Sequence, residues 1–521
     1  MKFLTSRQNT DPDRLNKKKV IKMKKVISLL LAVIIAVSIP ATVLADNNGC
    51  SCDTAPVVYV RGFGGAIYKV AEDGTQTNAF AFDADKITPH IGDIFVAVFS
   101  LITGNADSFS KSAGNILGGI MGDLACTYGG ESLHNIVPTA SDPTNVDKHK
   151  DFTLEISAED RWDAMYDFEY DWRLDPMVIA DDLNTYIEEV KAVTGHDKVV
   201  LRCHSEGNCV AAAYLYKYGH SSVEKICMMA AAANGINLVG QLFTRDISLK
   251  DKGGEIAYFV ASLMQGSESA ELISALLDVL NDIGLLDSVC NMLNDALVGD
   301  VLDTLYDEVL VDSFATWPAL WTFVPDTYYE NAKQAMFGTD AKYSALIERI
   351  DSYHYNVQKN LPKLLADAKQ DDVSLIFFSQ YNFAPIPVYE ENLSMGDMLV
   401  ETKYTSFGAT AASYGKTLDL DFNSENAKYY SKDKIIDAST CPYPDYTWFI
   451  RGINHAEFPD AYEDFSAWAI LYDGQPTVFT DSAHPQFVYY ENGEKLTPVT
   501  EEIPTDSSNS FIRLIKAIFN A

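Results

Sequence analysis

One stretch near the middle of the chain limits the possible folds more than any other: Lys198-Val-Val-Leu-Arg-Cys-His-Ser-Glu-Gly-Asn-Cys-Val-Ala-Ala-Ala-Tyr-Leu-Tyr-Lys217. A short apolar run, Val199 to Cys203, leads directly into His204-Ser205-Glu206-Gly207, and a small-residue helical pattern follows at once. That is the layout of a nucleophile elbow, a sharp strand-to-helix turn that lifts a serine out of the backbone. Such a turn sets Ser205 at a helix N-terminus, where free N–H groups can hold an oxyanion.

The remaining apolar runs set the fold class. Pro56–Val60, Met165–Tyr170, Val199–Cys203, Lys225–Met229, Val373–Phe378 and Thr447–Ile450 are expected strands, and helical patterns separate them. Strands that are continuously apolar are buried on both faces, which predicts an α/β protein whose mainly parallel sheet carries helices on both sides. The interval from 234 to 371 is too long for one crossover. Its Leu272, Ile273, Leu276, Leu277, Val279 and Leu280, then Val289, Met292, Leu293, Leu297 and Val301, recur at helical spacing. This predicts an inserted helical cap with an apolar interior. The expected organisation is a signal peptide over 1–45, a first core part over 46–233, the cap over 234–371 and a second core part over 372–521. Within the last part, 402–437 reads as a Tyr-rich irregular excursion, and Phe511–Phe519 as a short docking helix.

The N-terminus has the form of a secretory signal. Lysines 17–19, 22, 24 and 25 precede an apolar run from Val26 to Ile39, and Val43-Leu-Ala45 offers small residues at the cleavage position. The alternative is a retained anchor, for which the run is short. The chain carries a net charge of −33. Cleavage after Ala45 removes nine basic and two acidic residues and leaves −40. That surface excludes nucleic-acid partners and repels anionic bilayers, so any lipid contact must be local and apolar. A secreted chain permits disulfides among its eight cysteines, but their pairing is not legible. Cys203 and Cys209, on the elbow strand and helix, are expected as buried thiols. No Cys/His spacing has the form of a zinc motif, and no metal or organic cofactor is expected.

A serine hydroxyl needs a base to take its proton, and that base needs an acid to orient it. In elbow folds the chain order is Ser, acid, His, with the last two on loops after late strands. His220, His354, His455 and His484 qualify by order. His455 is favoured because it follows the last strand through Arg451-Gly-Ile-Asn454, and His484 is the runner-up. For the acid, Asp397 in Ser394-Met-Gly-Asp-Met-Leu-Val400 follows the fifth strand, while Asp445, Asp419, Asp421 and Asp437 compete. The oxyanion donors are expected to be the backbone N–H of Glu206, just after the nucleophile, and that of Phe63. Phe63 lies in Arg61-Gly-Phe-Gly-Gly65, whose glycines allow close backbone approach.

Four blocks in order resemble the lecithin:cholesterol acyltransferase family, which includes secreted and lysosomal phospholipases and sterol acyltransferases. They are Pro56–Gly65, similar to the family's oxyanion loop; Tyr170-Asp-Trp-Arg-Leu-Asp-Pro176, similar to its Tyr-Asp-Trp-Arg signature; the elbow; and Gly396-Asp397 with Val400, similar to its Gly-Asp-Gly-Thr-Val acid block. Trp317–Pro325 is similar to a family segment in the cap. The elbow departs by beginning with Cys203 in place of Gly and by placing Glu206 where an apolar residue is common. The acid block departs by carrying Met398-Leu399. Asp171 and Arg173 are expected to form a buried structural pair. The resemblance implies an α/β-hydrolase fold and a secreted serine hydrolase acting on lipid or other carboxylic esters, with Ser205, Asp397 and His455 as its triad. The alternatives are an O-acyltransferase with the same residues, a peptidase of the same fold, and a catalytically silent binding protein. Oligomeric state is not legible.

Overall fold

A computed structural model of the chain describes residues 54–80, 122–263, 270–297, 306–384, 395–413, 415–491 and 494–500, with isolated positions between them. The expected signal segment and the tail after Pro504 lie outside the described residues. In chain order the strands are β1 (Val57–Val60), β2 (Ile67–Val70), β3 (Gln76–Asn78), β4 (Ile136–Pro138), β5 (Tyr166–Phe168), β6 (Val199–His204) and β7 (Val223–Met229). They continue with β8 (Ser374–Tyr381), β9 (Thr410–Ala411), β10 (Ile436–Asp437), β11 (Thr447–Arg451), β12 (Phe487–Glu491) and β13 (Lys495–Pro498).

Eight of these form one sheet in the order β13-β12-β11-β8-β7-β6-β1-β5. All its pairings are parallel except β12 with β13. All six expected strands lie in it, within a few residues of their expected bounds. The hairpin β12–β13 and the small sheets β3-β2-β4 and β10-β9 were not anticipated. The strands of the small sheets are two to four residues long and β3 is fully exposed, so no long apolar run marks them, whereas the Phe487–Tyr490 run of β12 went unassigned. The expected irregular excursion over 402–437 holds one short helix, one 3-10 turn and the β9–β10 pair.

The sheet divides its side chains by the period of two that a strand imposes. Val58, Val60, Leu201, Cys203, Ile226, Met228, Leu375 and Phe377 pack into one core, which includes Ile179, Leu183 and Ile187 of the helix Pro176–Thr194 and Val210 of the helix Gly207–Tyr218. Val57, Tyr59, Val200, Cys227, Met229, Ile376 and Phe378 pack into the other, with Tyr462, Phe465 and Ile470 of the helix Asp460–Leu471. Helices therefore cover both faces, and continuous apolar strands are the result. Among its described residues the interval between β7 and β8 holds helices and their connecting turns and no strand, from the helix Asn237–Phe243 to the helix Leu361–Gln370. A separate core gathers there around Phe243, Trp321, Val324, Tyr329, Phe337 and Ile350. Among the described residues no helix is long and apolar enough to cross a membrane.

Two buried ion pairs tie the layers together. Arg202 on β6 reaches Glu463 at 2.7 Å, with both side chains 2% exposed. Arg173 grips Asp171 through Nε at 2.9 Å and Nη2 at 2.6 Å, and also donates to Leu124 O and Ser132 Oγ. A buried charge without a partner costs several kcal/mol, which explains the pairing.

The tightest backbone crossing lies where β1 ends beside the elbow helix. A methyl group on Gly207 would sit 2.1 Å from Val60 O and 2.7 Å from Arg61 O. Alanine ordinarily stabilises a helix relative to glycine by about 0.5–1 kcal/mol. Here Gly207→Ala is expected to destabilise by more than ~3 kcal/mol, because rigid backbone must move. Urea denaturation checks this, and an unchanged midpoint would contradict it.

Candidate active site

The chain leaves β6 and turns into the helix Gly207–Tyr218 within two residues, and Ser205 takes the left-handed backbone conformation at φ 52°. A non-glycine residue there costs about 1–2 kcal/mol. Local hydrogen bonds hold it in place. Ser205 N donates to Met229 O at 3.0 Å, while Asn208 Nδ2 donates to Ser205 O at 3.0 Å and to Met229 O at 3.2 Å. The small size of residue 207 lets β1 pass directly behind the turn.

The fold brings His455 and Asp397 to this serine across 250 and 192 residues of sequence. The Ser205 Oγ to His455 Nε2 distance is 2.8 Å, and His455 Nδ1 lies 2.7 Å from Asp397 Oδ2. With Nδ1–H donating to the carboxyl, Nε2 is left to accept the serine proton. The three residues follow the C-terminal ends of β6, β8 and β11, where ligands of parallel sheets bind.

Asp397 is fully buried. Its Oδ1 accepts from Leu399 N at 3.0 Å and Val400 N at 2.7 Å, its own N–H donates to Val400 O, and its carbonyl accepts from His455 N at 2.9 Å. The departure at Met398 has a visible cost: this residue stands at φ 89°, where glycine would be relaxed. Gly396 is needed because a Cβ there would meet Val400 O at 2.5 Å.

The competing residues lie elsewhere. His484 pairs with Asp481 and stacks on Trp468; His354 bonds Gln358 and Asp326; His220 faces Asp371. Asp445 accepts from Tyr429, Asp421 caps its own turn at Asn423, and Asp437 caps Ser439. Asp419 has no contact with the triad residues.

The two expected oxyanion donors flank the serine. Gly62 packs so closely that a Cβ there would lie 2.9 Å from Ser205 Cβ, and Phe63 follows it. Neither the Phe63 nor the Glu206 backbone N–H donates a hydrogen bond among the described residues, so both can donate to a ligand. The Tyr-Asp-Trp-Arg block explains how the loop is held. Tyr170 Oη donates to Arg61 O at 2.6 Å and Trp172 Nε1 to Gly65 O at 2.9 Å, one on each side of the glycines. The Asp171–Arg173 pair fixes the block itself.

His204 is a positioning residue that sequence reasoning missed. Burial, then His455, push its imidazole down to about 3, so it is neutral. Its Nε2–H donates to His455 O at 2.9 Å, which steadies the loop that carries the base. Only its place immediately before the serine hinted at this.

Phe63 is 40% exposed, and its ring lies 4.1 Å from that of Trp172, with Trp317 and Phe323 beyond. An aromatic wall thus rises beside the loop. A cavity of about 640 Å³ opens by the acid loop, lined by Pro325, Met395, Tyr404, Phe407 and Ala411. It contains none of the triad residues, so the aromatic wall bears more directly on what reaches Ser205.

Buried thiols complete the surroundings. Burial raises Cys203 well above its ordinary value and pushes Cys209 and Cys227 up to about 12, so they are inert. No disulfide joins Cys126, Cys203, Cys209, Cys227, Cys290 or Cys441.

Comparison with protein-family models gives no match, and comparison with curated proteins gives none either.

Glu206, the departure from the apolar residue common at this position, is buried rather than facing solvent. It is 0% exposed and neither carboxyl oxygen has a hydrogen-bond partner. Burial, then Asp171, raise it well above 4.5. The folded chain therefore keeps it protonated at pH values where the unfolded chain ionises it. Its stabilising contribution is whole below the unfolded value and declines as pH rises towards the folded one. Glu206→Gln removes this dependence. The variant is expected to match the wild type near pH 4 and to gain on it above that, by at most ~1.4 kcal/mol per pH unit. Denaturant titrations at pH 4, 6 and 8 measure the gap, and a gap independent of pH would contradict the assignment.

Proposed function

We propose that this chain is a secreted serine hydrolase of the α/β-hydrolase fold. Within that class, we read it as an enzyme that cleaves carboxylic esters of lipids, akin to the lecithin:cholesterol acyltransferase family. The observation that carries the reading is the continuous line of hydrogen bonds from Ser205 Oγ through His455 to Asp397. The elbow geometry at Ser205, the order Ser–Asp–His along the chain and the two free N–H groups beside the serine add support.

The chemistry follows from the geometry. Ser205 Oγ attacks the ester carbonyl while His455 Nε2 takes its proton. The oxyanion receives hydrogen bonds from Phe63 N–H and Glu206 N–H. As the C–O bond to the alcohol breaks, the imidazolium returns the proton to the leaving oxygen. Asp397 keeps Nδ1 protonated and stabilises the imidazolium throughout. Water then adds to the acyl carbonyl as His455 takes its proton, and His455 returns that proton to Ser205 Oγ as the acyl C–Oγ bond breaks and the acid leaves. No metal or organic cofactor takes part in these steps.

The substrate class rests on the aromatic wall of Phe63, Trp172, Trp317 and Phe323, which suits an acyl chain, with the β7–β8 helices as its cap. A strongly acidic surface suits a chain that meets lipid only through such an apolar patch.

Two measurements test the proposal. A fluorophosphonate probe is expected to label the purified protein at one site, and Ser205→Ala to lose the label; labelling that persists in the variant would overturn the assignment. Phospholipid, triacylglycerol and short-chain esters, with and without an acceptor alcohol, are expected to release free fatty acid. Acyl transfer to the alcohol as the main product would make the enzyme an O-acyltransferase instead.

A further inference from the structure

At the opposite end of β6 from Ser205, three donor atoms converge. Cys52 Sγ lies 3.2 Å from His149 Nε2 and 3.3 Å from His196 Nε2, and the two Nε2 atoms are 3.3 Å apart. Cys52 lies in the segment that enters β1. His149 belongs to the 3-10 helix Lys148–Asp151, and His196 to the turn between the helix Pro176–Thr194 and β6. The cluster therefore sits below the N-terminal ends of β1 and β6, adjacent strands in register from Val57 with Val200. The strand between it and Ser205 is six residues long, roughly 20 Å.

From this convergence we propose that Cys52, His149 and His196 form a zinc site that pins the segment entering β1 to the base of the sheet. Hydrogen bonding alone accounts poorly for the triangle. Each Nε2 has a single in-plane position, filled by either a proton or a lone pair, so it can aim at only one of its two neighbours. A cation at the centre engages all three atoms at once. Zinc–sulfur and zinc–nitrogen bonds of about 2.3 Å and 2.0–2.1 Å, set tetrahedrally, place nitrogens ~3.4 Å apart and sulfur ~3.6 Å from each nitrogen. The observed separations lie within a few tenths of an ångström of these values. The two rings meet edge to face at 82°, so neither blocks the other's nitrogen.

The donor set also selects the metal. Two imidazoles and one thiolate suit zinc, whereas calcium and magnesium take oxygen ligands. His149 is 0% exposed, while Cys52 and His196 are half-buried, so the site is walled on the protein side and reachable from solvent. On binding, Cys52 gives its proton to solvent and ligates as the thiolate, and a water fills the fourth position. Because the sheet separates this site from Ser205, the zinc would take no part in the chemistry proposed there and would hold the three segments together.

The test uses the protein purified without a histidine tag. After zinc loading and gel filtration, elemental analysis is expected to find one zinc per chain, and cobalt(II) to give a thiolate-to-cobalt charge-transfer band. Cys52→Ser should abolish that band, and His196→Gln, on a half-buried turn, should weaken zinc binding on the order of tenfold or more. Zinc should raise the wild-type melting temperature and leave the Cys52→Ser/His196→Gln variant unmoved. Circular dichroism and fluorophosphonate labelling at Ser205 identify variants that remain folded. Less than one-tenth of an equivalent of zinc in the wild type, bound cobalt without a thiolate band, or full occupancy in the folded double variant would overturn the site.

Discussion

The turn at Ser205 is the constraint around which the rest of the molecule is arranged. A serine at φ 52° gives up conformational energy, and the surrounding structure must hold it there. Met229 on the neighbouring strand and Asn208 on the following helix bind its backbone, while Gly207 on the elbow helix and Gly62 after β1 let these two segments pack closely on each other. Remove either glycine and the first strand can no longer lie against the elbow. The same close approach sets Gly62, and with it the start of the expected oxyanion loop, against Ser205.

The triad depends on that turn and adds a second layer of support. Asp397 is held by two backbone N–H groups, His455 by Asp397 and by the carbonyl contact from His204. The Tyr170 and Trp172 side chains anchor the Gly-rich loop from the other side. Ser205, His455 and Asp397 are thus each held by neighbours outside their hydrogen-bonded line, which is the fixed geometry the proposed ester chemistry requires. The two ends of the sheet divide the work: C-terminal strand ends carry the triad, and N-terminal ends carry the Cys52, His149 and His196 cluster.

Much of this was legible in the chain because the physics is local. The strands with both faces buried appear as unbroken apolar runs, and the elbow compresses strand, turn and helix into a short span. Asp397 was accessible through its preceding glycine, whose Cβ would strike Val400 O. What stayed hidden depends on contacts distant in sequence. Glu206 was visible only as a charged residue where an apolar one is common; its burial follows from the close packing of β1 behind the helix start it occupies. The Tyr-Asp-Trp-Arg block was visible as a motif, but the loop it holds lies more than a hundred residues upstream. Cys52, His149 and His196 are separated by 97 and 47 residues, so no short spacing could announce them. The hairpin β12–β13 sits at the sheet edge, where alternation is weak and exposure mixed.

The account stands most directly on whether Ser205 becomes acylated during turnover. Rapid mixing with a chromogenic ester whose acyl-enzyme hydrolyses slowly, followed by acid quench and peptide mass spectrometry, answers this. The account predicts a burst of about one alcohol per active site, with the acyl mass on the peptide that contains Ser205, and neither in His455→Ala. An adduct on a different residue, or turnover undiminished in the His455 variant, would contradict it.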